Sequence, residues 1–198
     1  MNIFVLDYNP QVAAEYHCDK HVVKMILESA QILSSIHRLK NGVLTKVAVR
    51  KTNGIELKDW YVLDTDCFEL KPALIHGNFY DVLVNYEVYA ITHKNHPCTI
   101  WAGISRSNYL WLTELAEHLN NEYKFRFNHE VNHKSYDVIA NLPLIELPDI
   151  GLTRFAEAMP DYCKVTDCTV MNYREYYRKE KAHILKYTNA STPYWIKG

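Results

Sequence analysis

Titratable side chains recur at helical spacing near the start of the chain. Steps of four, three and four residues separate them, which places them on one face of an α-helix. Polar helix faces are most often simply solvated, and that interpretation stays open. Histidines, however, titrate near neutral pH, and beside an amine and a carboxylate they are suited to proton transfer or nucleophilic attack. The predicted catalytic residues are His17, His21, Lys24 and Glu28.

One long helix over residues 10–40 is predicted to carry this face. Asn9 is a favoured N-cap, and Pro10 fits the first helical position, where a missing N–H is not needed. Apolar residues recur on the opposite face at spacings of three and four, which predicts burial. They include Val22, Val23, Ile26 and Leu33. We expect this face to pack on a second long helix over about residues 107–123, which begins after a cap region at 105–107.

The remaining elements are shorter. An apolar run, Ile3 to Leu6, is typical of a buried strand, and Asn53-Gly54 between two β-prone runs predicts a hairpin over 43–49 and 55–62. Residues 72–90 fit either a helix or strands, and we favour a helix. Pro97 is expected to start a helix. A long irregular loop over 128–167 precedes a last helix over about 169–187.

These elements predict an α+β, mainly α fold. It consists of a compact bundle of long helices, a small β-hairpin or short sheet, and the long irregular loop before the C-terminal helix. The length of 198 residues favours a single domain over residues 1–198. The oligomeric state is not indicated by the sequence.

Composition excludes several classes of protein. An apolar content of 48% without any apolar run near 20 residues excludes a membrane span, and the first seven residues lack a basic leader, so a cytoplasmic location is expected. Five cysteines without a C-x2-C pair indicate reduced thiols rather than a disulfide framework or a zinc ribbon. The net charge of −1 excludes a globally basic nucleic-acid binder but is compatible with a local basic patch that binds phosphate. Neither a cofactor nor a metal is predicted.

A ligand-binding surface is predicted from three other segments. The C-terminal helix places aromatic rings beside cationic side chains, a combination suited to a phosphate-bearing ligand that can stack, although buried tyrosines with a solvated basic edge would look the same. The polar turn before Pro97 and the residue after the first strand add further polar groups. The predicted binding residues are Asp7, His93, Asn95, His96, Arg174, Tyr177, Arg178, Lys181 and His183.

Several motifs resemble a family of small phage proteins, nearly from end to end. They are Met1-Asn-Ile-Phe-Val-Leu-Asp7, Tyr16-His-Cys-Asp-Lys-His-Val-Val-Lys-Met-Ile-Leu-Glu28, Asn95-His-Pro97 with Trp101, Met159-Pro160 and Lys181-Ala-His-Ile184. This resemblance implies the cytoplasm of a host cell as the location and implies no activity.

A second resemblance is to the pyrimidine-dimer DNA glycosylases of the phage endonuclease V type. It is carried by a histidine seven residues before a glutamate, His21 and Glu28, by the Lys94–Pro97 element, and by the aromatic C-terminal segment with Pro193-Tyr-Trp195. It implies a compact helical enzyme that excises a damaged base and nicks the strand through an imine.

The sequence departs from that family at its second residue. Those enzymes attack through the amine of a small second residue, exposed when Met is removed, whereas Asn2 is too large for routine removal of Met1. An imine would need another amine, and Lys24 beside His21 and Glu28 is the candidate, since cationic neighbours and burial lower the pKa of a lysine.

Three functions therefore stay open. The leading one is an enzyme acting on DNA or a nucleotide, most specifically by base excision. The second is a protein that binds a nucleotide or cyclic nucleotide without turnover. The third is a metal-dependent phosphohydrolase that uses His17, His21, His93 or His96.

Overall fold

The computed structural model describes residues 1–196, and within that range the fold is α+β and mainly α, as predicted. Six α-helices accompany a small sheet. The helices are α1 (Pro10–Tyr16), α2 (Asp19–Asn41), α3 (Pro97–Ala102), α4 (Arg106–Phe127), α5 (Lys134–Ala140) and α6 (Thr169–Glu180). The strands are β1 (Val43–Lys51), β2 (Gly54–Val62), β3 (Cys67–Phe68), β4 (Ala73–Ile75), β5 (Asn78–Tyr80) and β6 (Val82–Asn85). The single domain predicted from chain length stays a prediction.

The long first helix is broken, so the prediction of one continuous helix over 10–40 was wrong at residues 17 and 18. His17 and Cys18 have extended backbones that separate α1 from α2. Arg126 stabilises the break, because its guanidinium donates to the carbonyl oxygens of His17 (2.7 Å) and Glu15 (2.8 Å). The buried guanidinium of a distant helix thus supplies the hydrogen-bond donors that these carbonyl oxygens would have found in a continuous helix.

The apolar face of α2 packs on α4, as predicted. Val22, Ile26 and Leu33 are fully buried together with Leu112 and Leu115 of α4. Ser105 caps α4 by accepting a hydrogen bond from the N–H of Asn108, which confirms the predicted cap region. Val23 is an exception: it is 37% exposed, so its assignment to the core was wrong.

The N-terminal segment is buried without being a strand. Ile3, Phe4, Val5 and Leu6 all belong to the main core, yet no strand is formed there. The side-chain oxygen of Asn2 accepts hydrogen bonds from the N–H groups of Ile3 and Phe4, which replaces part of the pairing a sheet would have supplied. The predicted strand was therefore wrong, although its burial was right.

Residues 43–90 form a small lobe, called here the β-lobe. The hairpin of β1 and β2 is confirmed, with Gly54 at a positive φ of 133° in its turn. The sheet order is β2-β1-β6-β3, with β1 parallel to β6, and β4 pairs with β5 separately. The helix favoured over 72–90 was wrong: the run at 82–84 that also suited a strand lies in β6, the run at 86–88 forms no strand, and β4 and β5 precede them.

Arg38 of α2 fastens the β-lobe to the helices. Its guanidinium makes two 2.8 Å contacts with the buried carboxylate of Asp66 and donates to the carbonyl oxygens of Tyr61, Val88 and Tyr89. Trp60 donates to the same carboxylate at 2.9 Å. The β-lobe has its own small core of Val47, Trp60 and Leu83.

The C-terminal half confirms the predicted helix at Pro97 and the irregular loop. The loop over 128–167 contains a short α-helix, α5, and a 3-10 turn over 161–163, neither of which was predicted. The last helix ends at Glu180 rather than near 187, and a 3-10 turn over 182–184 follows it. All five cysteines are free thiols. No helix within residues 1–196 has the length and apolarity needed to cross a bilayer.

Candidate functional site

Glu28 lies at the centre of a cluster that joins α2 to the N-terminal segment. The residue is only 7% exposed. Its Oε2 accepts a 2.7 Å hydrogen bond from the N–H of Asn2 and lies 3.9 Å from the amine of Met1. Its Oε1 lies 3.2 Å from Nζ of Lys24, whose side chain is 63% exposed. A nearly buried carboxylate is therefore flanked by two amines, that of Met1 and that of the exposed Lys24 side chain.

Asn2 fixes the position of the Met1 amine. Its side-chain Nδ2 donates to the carbonyl oxygen of Ala158 at 2.7 Å, while its Oδ1 accepts from Ile3 and Phe4. Phe4 adopts a φ of 39°, a left-handed conformation that is costly for a residue with a bulky side chain. Such strain, of about 1–3 kcal/mol, persists only where the surrounding contacts enforce it. The first four residues are thus held in one conformation beside Glu28.

His96 joins the same cluster from the loop before α3. Its Nδ1 accepts a 3.2 Å hydrogen bond from the N–H of Cys98 and caps α3. Burial and then the positive charge of the Met1 amine lower the pKa of His96, whereas the charge of Glu28 acts to raise it. Because Nδ1 is an acceptor, the neutral ring carries its proton on Nε2 and can donate a hydrogen bond from there.

Ser35 holds this loop against α2. Its hydroxyl donates to the carbonyl oxygen of Thr92 and accepts from the N–H of the same residue. His93 and Asn95 are exposed, and the ring of His93 meets that of His96 edge-on at 6.4 Å. Sequence alone could not relate this loop to the first helix, and the structure joins the loop to α2 through Ser35 and Thr92.

His17 and His21 lie below the surface rather than on an open face. His17 is fully buried and its Nδ1 lies 2.6 Å from the carbonyl oxygen of Ala13, while His21, 5% exposed, lies 2.5 Å from the hydroxyl of Tyr177. Burial lowers the pKa of His17 to about 4 and that of His21 to about 3. Both rings are neutral at pH 7, and the contacts support packing. A catalytic role for them stays a prediction.

An aromatic stack leads from His21 to the surface. The ring of Phe4 lies between His21, at 4.4 Å and 27°, and Tyr176, at 5.6 Å and 16°. The ammonium of Lys181 lies 4.7 Å above the ring of Tyr176. We call the rings of His21, Phe4 and Tyr176 the aromatic stack.

Two of the predicted phosphate ligands are engaged inside the protein. Arg174 donates to the carbonyl oxygen of Leu6 at 2.9 Å and to the carboxylate of Asp7 at 3.0 Å. Arg178 pairs with Glu175 on its own helix and also donates to the carbonyl oxygen of Trp195. These contacts explain both arginines as structural. The phosphate contacts predicted for them stay predictions.

The other predicted binding residues divide into buried and accessible ones. Tyr177 is fully buried beneath His21, so its ring is not a surface for a ligand in this conformation. Lys181 is half-buried and His183 is exposed, both just after α6. Of the C-terminal residues predicted to bind a ligand, these two are accessible and lack the ion pairs that engage Arg174 and Arg178 among residues 1–196.

The sequence reasoning missed four residues of this site: Met1, Asn2, Phe4 and Tyr176. A signal was present for Asn2, a polar residue directly before a buried apolar run. No comparable signal marked Phe4 or Tyr176, since stacking across 172 positions depends on the fold.

Comparisons of the chain with protein-family models, curated proteins and solved structures gave no match. Within residues 1–196, no group of three or more His, Cys, Asp or Glu side chains is placed to hold a metal ion. Support for a function therefore comes from the cluster around Glu28 and from the motif resemblance.

Proposed function

We propose that this protein is a DNA glycosylase/lyase-like enzyme that excises a base through an imine at the cluster around Glu28. The observation that supports this most directly is the nearly buried carboxylate with one amine at 3.9 Å and another at 3.2 Å. A carboxylate beside an amine can take the proton that the amine must lose when it attacks. The resemblance of His21 and Glu28 to the phage glycosylases points to the same chemistry.

The proposed reaction begins with attack of an amine nitrogen on C1′ of a deoxyribose. The bond from C1′ to the base breaks, and the base leaves with the electron pair and takes a proton from water. The amine proton passes to Glu28, which returns it to O4′ as the C1′–O4′ bond breaks and the iminium forms. Loss of a C2′ proton to Glu28 expels the 3′-phosphate, and water then hydrolyses the imine. His96 donates a hydrogen bond from Nε2 to an oxygen of the sugar or phosphate.

Two amines are candidates for the attack. Lys24 is the one predicted from the sequence, but its side chain is 63% exposed, so the burial predicted for it is missing. The Met1 amine is held beside Oε2 of Glu28 by the hydrogen bonds of Asn2, and the Met1 side chain is only 2% exposed. The geometry therefore favours the Met1 amine, with Lys24 stabilising negative charge near Glu28.

Borohydride trapping tests the proposal. The protein is incubated with DNA carrying a single abasic site, and borohydride reduces any iminium to a stable secondary amine. We expect a covalent protein–DNA adduct, and peptide mapping of this adduct identifies the nitrogen. An adduct at Met1 that survives in Lys24→Arg is the expected result, whereas an adduct lost in Lys24→Arg assigns the attack to Lys24.

The absence of any adduct and any strand cleavage would contradict base excision. In that case, nucleotide carried through purification and seen by native mass spectrometry would support the binding alternative without turnover. Metal found in protein purified without a histidine tag would support the phosphohydrolase.

A further inference from the structure

We propose that the outer face of Tyr176 is a stacking platform for an unpaired nucleobase, with Lys181 moving from the ring to the neighbouring phosphate. This inference rests on the proposed function, since it assigns a part of the DNA strand to a surface beside the cluster around Glu28. It concerns binding, and it can be tested without turnover.

The ring of Tyr176 is backed by rigid partners. Phe4 stacks on its inner side at 5.6 Å and 16°, and His21 stacks on Phe4 at 4.4 Å. Phe4 is held in its strained conformation by the hydrogen bond from its N–H to Asn2. A ring stacked on a fixed partner and contacted by a flexible lysine suits a stacking ligand, because little freedom is lost when the ligand binds.

Lys181 is a displaceable cover for this ring. Its ammonium lies 4.7 Å above Tyr176. Among the contacts of residues 1–196, no ion pair or side-chain hydrogen bond engages this ammonium, whereas Arg174, Arg178 and Lys179 all pair with carboxylates. A base has a π-face that can replace the cation, and the released ammonium can then pair with a phosphate.

The location fits a base next to the reacting nucleotide. His21, at the inner end of the aromatic stack, precedes Glu28 by seven residues on α2, roughly 10 Å along the helix axis. The N-terminal segment connects the two places, because Asn2 donates to Glu28 and Phe4 stacks on Tyr176. A base next to the reacting nucleotide is therefore assigned to the platform.

The chain offers a matched control in a second pair of lysine and tyrosine packed at α6. Lys179 lies 6.0 Å above the ring of Tyr162, so this pair repeats the cation–ring contact. There, however, Lys179 also pairs with Glu175 at 3.0 Å, and the hydroxyl of Tyr162 donates to Glu180 at 2.7 Å. Substitutions at this pair are expected to leave binding unchanged.

The experiment measures binding of a short single-stranded oligonucleotide that carries 2-aminopurine, in the Glu28→Gln background so that chemistry does not interfere. We expect quenching of 2-aminopurine on binding, roughly 5- to 150-fold weaker binding for Tyr176→Leu, and near-normal binding for Tyr176→Phe. Lys181→Met should reduce the slope of log K against log salt by about one, as expected for one lost phosphate contact, while Lys179→Met and Tyr162→Leu leave binding and slope unchanged. Circular dichroism and thermal melting verify that each variant is folded.

Two further arms identify the ligand. A nucleoside 5′-monophosphate that binds as tightly as the oligonucleotide would make the platform a mononucleotide site, and an abasic oligonucleotide that binds as tightly as the base-bearing one would overturn stacking. Failure of the wild type to bind the oligonucleotide, or equal binding by folded Tyr176→Leu, also overturns this inference. Equal binding by Tyr176→Leu contradicts the platform but not base excision. Binding that depends on Tyr176 without any covalent adduct supports the platform and contradicts the proposed reaction.

Discussion

Glu28 accepts a 2.7 Å hydrogen bond from the backbone N–H of Asn2, so a carboxylate on α2 fixes the first residues of the chain. Glu28→Gln keeps an oxygen that can accept this bond but removes the charge and the ability to take a proton. We expect a folded protein whose adduct formation on abasic DNA is slower by about 100-fold or more.

The control for this variant is Glu114→Gln, which changes an exposed glutamate of α4. Its trapping rate should equal that of the wild type. If Glu28→Gln formed the adduct at the wild-type rate, the carboxylate would only anchor the N-terminal segment.

Ile26 tests the packing of α2 on α4. The side chain is fully buried, so Ile26→Ala should lower the free energy of unfolding by about 2–5 kcal/mol, from lost burial and the cavity left behind. Urea denaturation measures the change. The neighbouring Leu27 is 39% exposed, and Leu27→Ala should cost much less. Equal losses in the two variants would mean that the faces of the helix are wrongly assigned.

The pair of Arg38 and Asp66 should make stability sensitive to strong acid. Burial on its own would raise the pKa of Asp66, but hydrogen bonds from Arg38, the N–H of Leu63 and Trp60 outweigh it and lower the pKa below the ordinary value. A carboxyl whose folded pKa is lowered stabilises the fold above its unfolded pKa of about 3.9, and this contribution disappears as the pH falls below that value.

Asp66→Asn tests the same pair at neutral pH. The substitution leaves the Arg38 guanidinium buried without its counter-charge, so we expect a loss of about 3–5 kcal/mol in the free energy of unfolding. Asp59→Asn is the control, because its partner Lys46 lies in an exposed pair that contributes little. A loss in Asp66→Asn no larger than in Asp59→Asn would contradict a role for the pair.

Buried histidines should destabilise the fold at mildly acidic pH. Burial lowers the pKa of His17 and His37 to about 4 and that of His21 to about 3, all below the ordinary 6.5. The unfolded chain therefore takes up protons first as the pH falls, and stability declines below about pH 6.5. The expected loss is about 2 kcal/mol at pH 5 for each histidine that stays neutral.

His37→Leu provides the direct test of this effect. Urea denaturation at pH 7.5 and pH 5.0 should show a smaller acid loss in this variant than in the wild type. Its absolute stability is a separate matter, since the hydroxyl of Tyr109 loses its 2.8 Å partner. His183→Leu, at an exposed position, should keep the full acid loss. An unchanged pH dependence in His37→Leu would show that this ring is not buried in its neutral form.

Local patterns were sufficient to predict several elements. The Asn53-Gly54 turn predicted its hairpin, and Ser105 and Pro97 predicted helix starts, because each signal acts within a few residues. The break at His17 could not be predicted, since its cause is Arg126, more than a hundred residues away. Residues 72–90 carried signals for both helix and strand, and pairing of β6 with β1 decided between them.

In the candidate site, too, local sequence patterns predicted only part of the arrangement. The spacing of Lys24 and Glu28 was enough to place them together on α2. The Met1 amine, His96 and Tyr176 reach this region through the N-terminal segment, the loop before α3 and α6. Such convergence depends on tertiary packing, which periodicity along one segment does not encode.

The attachment of the β-lobe through Arg38 has a consequence for the motions of the protein. The small core of Val47, Trp60 and Leu83 is separate from the main core, so the β-lobe can open as a unit of its own, a foldon in hydrogen-exchange terms. Amides of β1 and β2 should then exchange with solvent deuterium well before those of α2 and α4. Because Glu28 and Asn2 belong to the slowly exchanging part, such opening leaves the geometry of the candidate site intact.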